Sequence, residues 1–332
     1  MKFVSINFFH LWKVQKKRCW SCGSLEVIRW GKQAGKQRFK CKNCGILFNF
    51  SNQSVSGSNR FVWFKNWVIG RQTIKQISSA SSYSERTLKR YFHAYLSKAP
   101  VLSIRPSEKV NLLIDGTYFS NNLCLILYRE QSIKYTQLYR FSDGEWYEEL
   151  KEDLQNLLTL GVQIESITCD GHKALLKAIS KVCRQVVVQR CLVHIQRMCR
   201  IWLTSHPKSN AALELREIVG GLHCINDRRQ WGYWVVSLIN WYKKHQLFLN
   251  EKTIHPQGRY WYKHKMLRRA FTVIKRALPN MFHYLDNPKI PKSTNGLESF
   301  FGHLKNHITV HRGLSKKNRR LFIQWYLYFK NQ

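Results

Sequence analysis

The chain has 332 residues, which is enough to bury a sizeable core and to form two or three domains. Its 55 Lys and Arg against 19 Asp and Glu give a net charge of +36, which predicts a polyanionic partner, with nucleic acid the first choice. Four of the ten cysteines have metal-binding spacing and the others lie in core-like segments. This usage argues against a secreted disulfide framework and favours a reducing, cytoplasmic compartment.

The N-terminal segment MKFVSINFFHLW is apolar, but it is too short to span a membrane and lacks a small-residue cleavage site. We expect it to be a small packed element. No later segment has the pattern of a transmembrane helix, so we expect no membrane partner.

Two Cys-x2-Cys pairs, Cys19 with Cys22 and Cys41 with Cys44, predict a zinc ribbon over residues 1–50. The residues between the pairs alternate and contain a Gly turn, as a β-hairpin requires. The ribbon is expected to hold one structural Zn²⁺ through the four thiolates. Its many basic residues favour contact with DNA, and a purely structural ribbon is the alternative.

A helix–turn–helix DNA-binding domain is predicted for residues 60–100, after a Ser/Asn-rich linker at Asn49–Asn59. Helical spacing covers Phe61–Gly70 and Thr73–Ile77, and Ser84–Tyr95 is the expected recognition helix. The cations on that helix that would contact DNA are Arg86, Lys89 and Arg90. A plain helical hairpin fits the same pattern.

From Lys109 the pattern changes to three strands, a helix, a strand, a helix and a strand. This order is that of an RNase H-like core, so an α/β fold is predicted, with the first part of the core at 107–203. Residues 204–290 are helical in pattern and predict an α-helical insertion with mostly buried tryptophans. The alternative for one or more of Trp231, Trp234, Trp241 and Trp261 is stacking on an unpaired base. The last part of the core, with basic C-terminal helices, is expected at 291–332, where Arg312, Lys316 and Lys317 are candidate DNA contacts.

Three acids stand out in a chain with few of them. Asp115 and Asp170 each end an apolar strand pattern in Asp-Gly, and Glu298 lies near the start of a helical pattern. Phosphoryl transfer uses pairs of Mg²⁺ ions, and Mg²⁺ prefers carboxylate oxygens. The three acids therefore predict a catalytic site for two Mg²⁺, or Mn²⁺, ions. The alternative is that each Asp-Gly is only a turn.

Cys191 and His194 follow the last strand of this pattern and share one helical face. A Cys-x2-His pair alone lacks two ligands of a metal site. We therefore favour a packing or positioning role near the active site.

The segments LLIDGTY, ITCDGHKAL, QRCLVHIQR and TNGLESFFGHLK resemble DDE transposases of bacterial insertion sequences, in the Mutator-like superfamily, in a version with an N-terminal zinc ribbon. The resemblance covers about 110 to 310. It implies Asp115, Asp170 and Glu298 as the metal-binding acids and Cys191 with His194 as the signature pair. It also implies that the ribbon and the helix–turn–helix bind the element's terminal inverted repeats.

The function expected from this resemblance is DNA transposition. Hydrolysis would free a 3′-OH at the element end, and that hydroxyl would attack target DNA. The implied partners are double-stranded DNA and further copies of the chain, as a homodimer or higher oligomer, and the implied location is the nucleoid. The alternatives are a catalytically inactive or domesticated DNA-binding protein and a structure-specific nuclease of the same fold.

Overall fold

A computed structural model describes residues 18–19, 21–33, 35–49, 53–105, 109–120 and 122–332. The segment MKFVSINFFHLW lies outside these residues. The chain divides into two compact units, Met1–Tyr95 and Leu96–Gln332.

In the first unit, an antiparallel three-stranded sheet is followed by three helices. The strands are β1 (Val27–Gln33), β2 (Lys36–Cys41) and β3 (Leu47–Phe48). The helices are α1 (Gln53–Ile69), α2 (Ile74–Ala80) and α3 (Glu85–Leu96).

Two local features explain the helices of the first unit. Thr73 and Gln76 form a reciprocal capping box that starts α2. The buried rings of Phe64, Trp67 and Phe92 pack α1 against α3. The helix α1 begins at Gln53, inside the segment expected to be a linker. Ser and Asn are common in turns but are tolerated in a helix whose later turns pack an apolar face.

The second unit contains a five-stranded mixed sheet with the order β6-β5-β4-β7-β8. In chain order its strands are β4 (Val110–Phe119), β5 (Leu123–Glu130), β6 (Tyr135–Ser142), β7 (Ile164–Cys169) and β8 (Val187–Arg190). The strands β4, β5 and β6 are antiparallel, and β7 and β8 run parallel to β4. The second unit is therefore mixed α/β, with its strands and helices from β4 to β8 in the order that the pattern predicts.

Helices cover both faces of this sheet. The helices α4 (Tyr147–Thr159) and α5 (Lys173–Val182) share a core with Leu112, Ile114 and Ile126. Side chains that alternate with these in the strands face the other side. There Leu113 is close to Gly296 of α10 (Asn295–Val310), and Tyr139 contacts Gln324 of α11 (Lys316–Lys330).

The segment between the sheet and α10 has its own core. Its helices are α6 (Leu192–Leu203), α7 (Asn210–Gly220), α8 (Arg228–Asn250) and α9 (Lys265–Ala277), with short 3-10 helices at Gly221–Cys224, Leu278–Asn280 and His283–Leu285. The expectation of a purely helical segment is wrong at one place. A small antiparallel hairpin, β9 (Lys252–Ile254) with β10 (Tyr260–Tyr262), joins α8 to α9. Strands of three residues are too short to give a periodic sequence signal.

The end of this segment returns to the sheet and to the start of α6, where its backbone carbonyls accept three hydrogen bonds. Gln189 donates to the carbonyl of Met281 at 2.7 Å, and the Thr168 hydroxyl donates to that of Pro291 at 2.9 Å. The backbone N–H of Leu192 donates to the carbonyl of Lys292 at 3.1 Å. These bonds fix the point at which α10 begins. Within the described part of the chain, the helices are all too short or too polar to cross a bilayer.

Candidate active site

Asp115 and Asp170 lie on neighbouring strands. In the parallel pair β4 and β7, Ile114 is the register partner of Cys169, and each is followed directly by one of the two acids. Asp115 does not end its strand, because β4 continues through Gly116 to Phe119 and remains paired with β5. Asp170 does follow the end of β7.

A tight turn fixes Asp170. The backbone N–H of His172 donates to the Asp170 carboxylate at 2.8 Å, and Arg190 donates to the Asp170 carbonyl at 3.0 Å. Gly171 between them has φ +88°, a conformation that residues with a Cβ rarely adopt. A Cβ at Gly171 would also lie 1.9 Å from the Arg190 guanidinium carbon. The positive φ therefore favours glycine here, and a Cβ would in addition force the Arg190 side chain to move.

Glu298 lies in the first turn of α10, and its backbone N–H donates to the Thr294 carbonyl at 3.1 Å. One reactive group from each of Asp115, His194 and Glu298 lies within 4.8 Å of the others. The acid from the strand and the acid from the helix therefore converge, although most of the second unit separates them in sequence. Asp170 is the register neighbour of Asp115 and is not a member of this tight group.

Cys191 and His194 connect the start of α6 to the start of α10. The His194 Nδ1 lies 3.2 Å from the Cys191 sulfur, which also accepts hydrogen bonds from the Thr294 backbone N–H and hydroxyl at 3.3 and 3.4 Å. The other ring nitrogen, Nε2, lies 3.4 Å from Glu298 Oε1. The imidazole is thus held on one side and faces a candidate metal ligand on the other.

The charges in the site follow from burial and from these contacts. Burial raises the pKa of Asp115 to about 7, against the opposing effect of His194. The hydrogen bond with Cys191 raises the pKa of His194 to about 9. Burial alone would raise the pKa of Cys191, but its hydrogen bonds with His194 and Thr294 outweigh burial and lower it. A thiolate–imidazolium pair is the state that these contacts favour.

The acids have the chemistry of a hard cation site. Burial disfavours the ionised form of Asp115, and the neighbouring charge of Asp170 disfavours it further. A divalent cation would remove both penalties, and carboxylate oxygens are the ligands that Mg²⁺ prefers. The residues present therefore fit a metal held by carboxylates.

Three functional candidates were not identified from the sequence: Glu145, His172 and Arg197. Glu145 lies over Gly116, where an added Cβ would be 2.5 Å from its Oε1, and it is 3.7 Å from His172 Nδ1. Burial raises the pKa of Glu145, as does the charge of Asp170. Arg197 donates to both carboxylate oxygens of Glu298, at 3.1 and 2.8 Å, and this contact lowers the pKa of Glu298.

Sequence signals for two of these residues existed. Glu145 is an acid just after a strand, which is the same feature that identified Asp170. Arg197 lies three residues after His194 and therefore on the same face of α6. His172 shows no comparable signal.

The predicted DNA-contacting cations are at the surface. Arg86, Lys89 and Arg90 are exposed on α3, on turns whose buried residues are Leu88 and Phe92. In the second unit the exposed cations before and at the start of α11 are Arg312, Lys316 and Lys317. These positions leave both groups accessible to a ligand.

The four N-terminal cysteines form a second candidate metal centre, because their sulfurs all lie within 4.8 Å of one another. Each Cys-x2-Cys pair is followed by a glycine with φ +72°, Gly23 after the first pair and Gly45 after the second. Each glycine donates its N–H to the carbonyl of the first cysteine of its pair. Burial raises the pKa of Cys19 to about 12, whereas backbone N–H groups, chiefly that of Cys44, lower the pKa of Cys41 to about 6. Four thiolates this close together require a cation, so the set fits a tetrahedral metal such as zinc.

Residues 139–255 match the family model described as "Transposase, Mutator family". The chain carries a Mutator-family transposase domain. The matched range extends from within β6 to the residue after β9, so it includes Asp170, Cys191 and His194 and leaves Asp115 and Glu298 outside. At the level of the family, the match supports a transposase and DNA recombination.

Other comparisons add little to this family match. The chain is similar to a chain in the cryo-EM structure of a simian T-cell lymphotropic virus intasome in complex with PP2A regulatory subunit B56 gamma. The match covers 64% of this chain and 68% of that chain, with 12% identity and a TM-score of 0.21. At that TM-score the likeness supports no argument about fold or function. No curated protein matches the chain.

Proposed function

We propose that this chain is a DDE transposase that cleaves DNA at the ends of its element and joins the freed 3′-OH to target DNA. The observation that carries the proposal is the convergence of Asp115 and Glu298, with Asp170 as the register neighbour of Asp115. The acid of strand β4 and the acid of the distant helix α10 converge, and the acid that follows the adjacent parallel strand β7 is next to Asp115 in the strand register. Glu298 reaches Asp115 because the chain returns to the sheet after the long inserted segment. A chance cluster of surface acids would not require such a return.

The fold proposed for the catalytic part is RNase H-like, over 107–203 and 291–332, with the segment 204–290 as the insertion. Its support is the sheet order β6-β5-β4-β7-β8, with three antiparallel strands followed outward by two parallel ones. The proposed DNA-binding parts are the zinc ribbon and the helix–turn–helix of the first unit.

Asp115, Asp170 and Glu298 would hold the two Mg²⁺ ions. When bound, such ions activate the attacking oxygen and stabilise the leaving oxygen of a phosphoryl transfer. In the first reaction the oxygen of water attacks phosphorus at the element end, the bond to the 3′ oxygen breaks, and that oxygen takes a proton. In the second, the 3′-OH attacks a target phosphodiester, so that one such bond forms as one breaks.

The neighbouring side chains position Glu298. Arg197 donates to both of its oxygens, and His194, held at Nδ1 by Cys191 and Thr294, faces Oε1 with Nε2. An imidazolium held in this way would donate to Glu298 and would not itself bind a cation. Cys191 and His194 therefore act by positioning the carboxylate of Glu298.

A strand-transfer assay tests the proposal. The full chain is incubated with Mg²⁺, a target plasmid and a labelled duplex that carries the terminal repeat flanking its coding sequence. A transposase produces nicked ends and joined products. Cleavage without joining would instead identify a nuclease, and binding without cleavage would identify an inactive DNA-binding protein.

A further inference from the structure

A cavity of about 760 Å³ lies between the start of α5 and the inserted segment and plays no part in the mechanism above. Lys173, the first residue of α5, lines it three positions after Asp170. The other walls come from the last turn of α6, from β10 and from one face of α9. We call it the basic aromatic pocket.

The helix α9 explains the charge of this pocket. Its buried residues Leu267, Ala270, Ile274 and Ala277 face the core of the inserted segment. Its cations recur at helical spacing on the opposite side and line the pocket: Lys265, Arg268, Arg269 and Arg276. Together with Lys173 they make five cations. None of the residues that line the pocket in the described part of the chain is acidic.

Repulsion between these cations disfavours the folded helix α9. Like charges at i,i+4, such as Lys265 and Arg269, disfavour a helix, and in the described part of the chain no ion pair is formed by Lys173, Lys265, Arg269 or Arg276. An anionic ligand would relieve this repulsion.

Three aromatic residues also line the pocket. Trp261 on β10 is 52% exposed, whereas the other tryptophans in the inserted segment, such as Trp234 and Trp241, are buried or half-buried. Trp202 and Tyr262 are half-buried, and the Arg268 guanidinium lies 3.5 Å from the centre of the Tyr262 ring. An exposed indole beside cations can stack on a base while the cations contact its phosphates.

We propose that the basic aromatic pocket binds an unpaired stretch of DNA strand, with a base stacked on Trp261 and phosphates on Lys173 and α9. Paired bases are stacked inside a duplex, so an indole in a pocket reaches only an unpaired one. A pocket of this volume has room for a nucleotide. Because Lys173 follows Asp170 by three residues, the pocket suits a strand that leaves the active site, and only this last assignment rests on the function proposed above.

Binding is measured by fluorescence anisotropy with a labelled oligo-dT strand and with a labelled duplex of the same length. The full chain is used without added divalent cation, so that no cleavage is needed and a failed transposition assay does not affect the result. Trp261→Ala is expected to weaken single-strand binding about 5- to 100-fold, with duplex binding nearly unchanged. Trp261→Phe, which keeps a stacking ring, is expected to retain most of the affinity.

A second pair of variants tests the charges. Arg269→Ala with Arg276→Ala removes two pocket cations, and Lys181→Ala with Lys243→Ala removes two exposed cations elsewhere in the second unit. The pocket variant is expected to lose clearly more single-strand affinity than its control. Equal losses in the two variants would overturn the proposal. The proposal would also be overturned if Trp261→Ala bound the single strand like the wild type, as the aromatic control Tyr233→Ala is expected to do. Tyr233 serves as the aromatic control because it is 63% exposed and lies outside the pocket.

Discussion

Arg197 donates hydrogen bonds to both carboxylate oxygens of Glu298, at 3.1 and 2.8 Å, and so occupies the atoms that a metal ion would need. The contact lowers the pKa of Glu298 and keeps it ionised. An ion that binds Glu298 must therefore share or displace the guanidinium. In this account Arg197 holds the carboxylate in place before the metal arrives.

Arg197→Ala is accordingly expected to tighten Mn²⁺ binding, because the ion no longer competes with a cation for Glu298. The contact is largely exposed, so the change should be about 2- to 5-fold in the dissociation constant. Isothermal titration calorimetry of Mn²⁺ into the DNA-free protein measures this dissociation constant. Arg228→Ala is the matched control, since Arg228 is as exposed as Arg197 and pairs with Asp286, far from the acids in sequence. Unchanged or weaker Mn²⁺ binding in Arg197→Ala would show that Arg197 does not compete.

Gly171→Ala is expected to be strongly destabilising. The residue would have to adopt φ near +88°, at a cost of about 1–3 kcal/mol, and its Cβ would displace the Arg190 guanidinium. Thermal unfolding measures the loss, and end cleavage should fall because Asp170 is no longer fixed. Gly232→Ala, in α8 with open space around it, should instead leave stability equal or slightly higher. If the Gly171→Ala protein were as stable and active as the wild type, the turn at Asp170 would not need glycine at this position.

The N-terminal cysteine cluster is expected to bind one Zn²⁺ per chain and to need it for folding. Cys44→Ser should lose the metal and weaken binding to the element end, whereas Cys224→Ser, at an exposed cysteine outside the cluster, should change neither. Elemental analysis of the purified full chain provides the direct measurement. Zinc content equal in wild type and Cys44→Ser would rule out this site.

His194→Ala should lower the rate of end cleavage on the order of 10- to 100-fold, without changing the preference between Mg²⁺ and Mn²⁺. The reason is that His194 contacts Glu298 while its other nitrogen is held by Cys191 and Thr294. His206→Ala, at an exposed histidine, is the control. Complete loss in Mg²⁺ with rescue by Mn²⁺ would indicate that His194 binds the metal directly.

Much of the second unit follows from its sequence pattern. The strands from Val110 to Arg190 and the two helices between them have strong apolar periodicity, so their order could be predicted. The position of Asp115 within β4 could not be predicted, because Asp-Gly is a frequent turn. The strand continues to Phe119 because its residues pair with β5, and this pairing has no local sequence signal. The sheet register and the return of residues 281–292 to the sheet are long-range contacts without a local signal.

The candidate site likewise combines residues that the sequence indicates with residues that only the folded chain brings together. Asp115, Asp170 and Glu298 were found because acids are scarce and lie next to apolar patterns. Arg197 and Glu145 were missed because their roles arise from contacts across the fold, one with Glu298 and the other above Gly116. The exposure of Trp261 likewise depends on the hairpin β9–β10, which three-residue strands do not reveal in sequence.

The central claim is that Asp115, Asp170 and Glu298 together form the catalytic metal site. Asp115→Asn, Asp170→Asn and Glu298→Gln each remove one charge with little change of shape, and strand transfer is measured for each beside Glu217→Gln, an exposed acid on α7. We predict that each of the three abolishes cleavage and joining while leaving end binding within about 2-fold, and that the control joins like the wild type. Near wild-type joining by any one of the three would contradict the account.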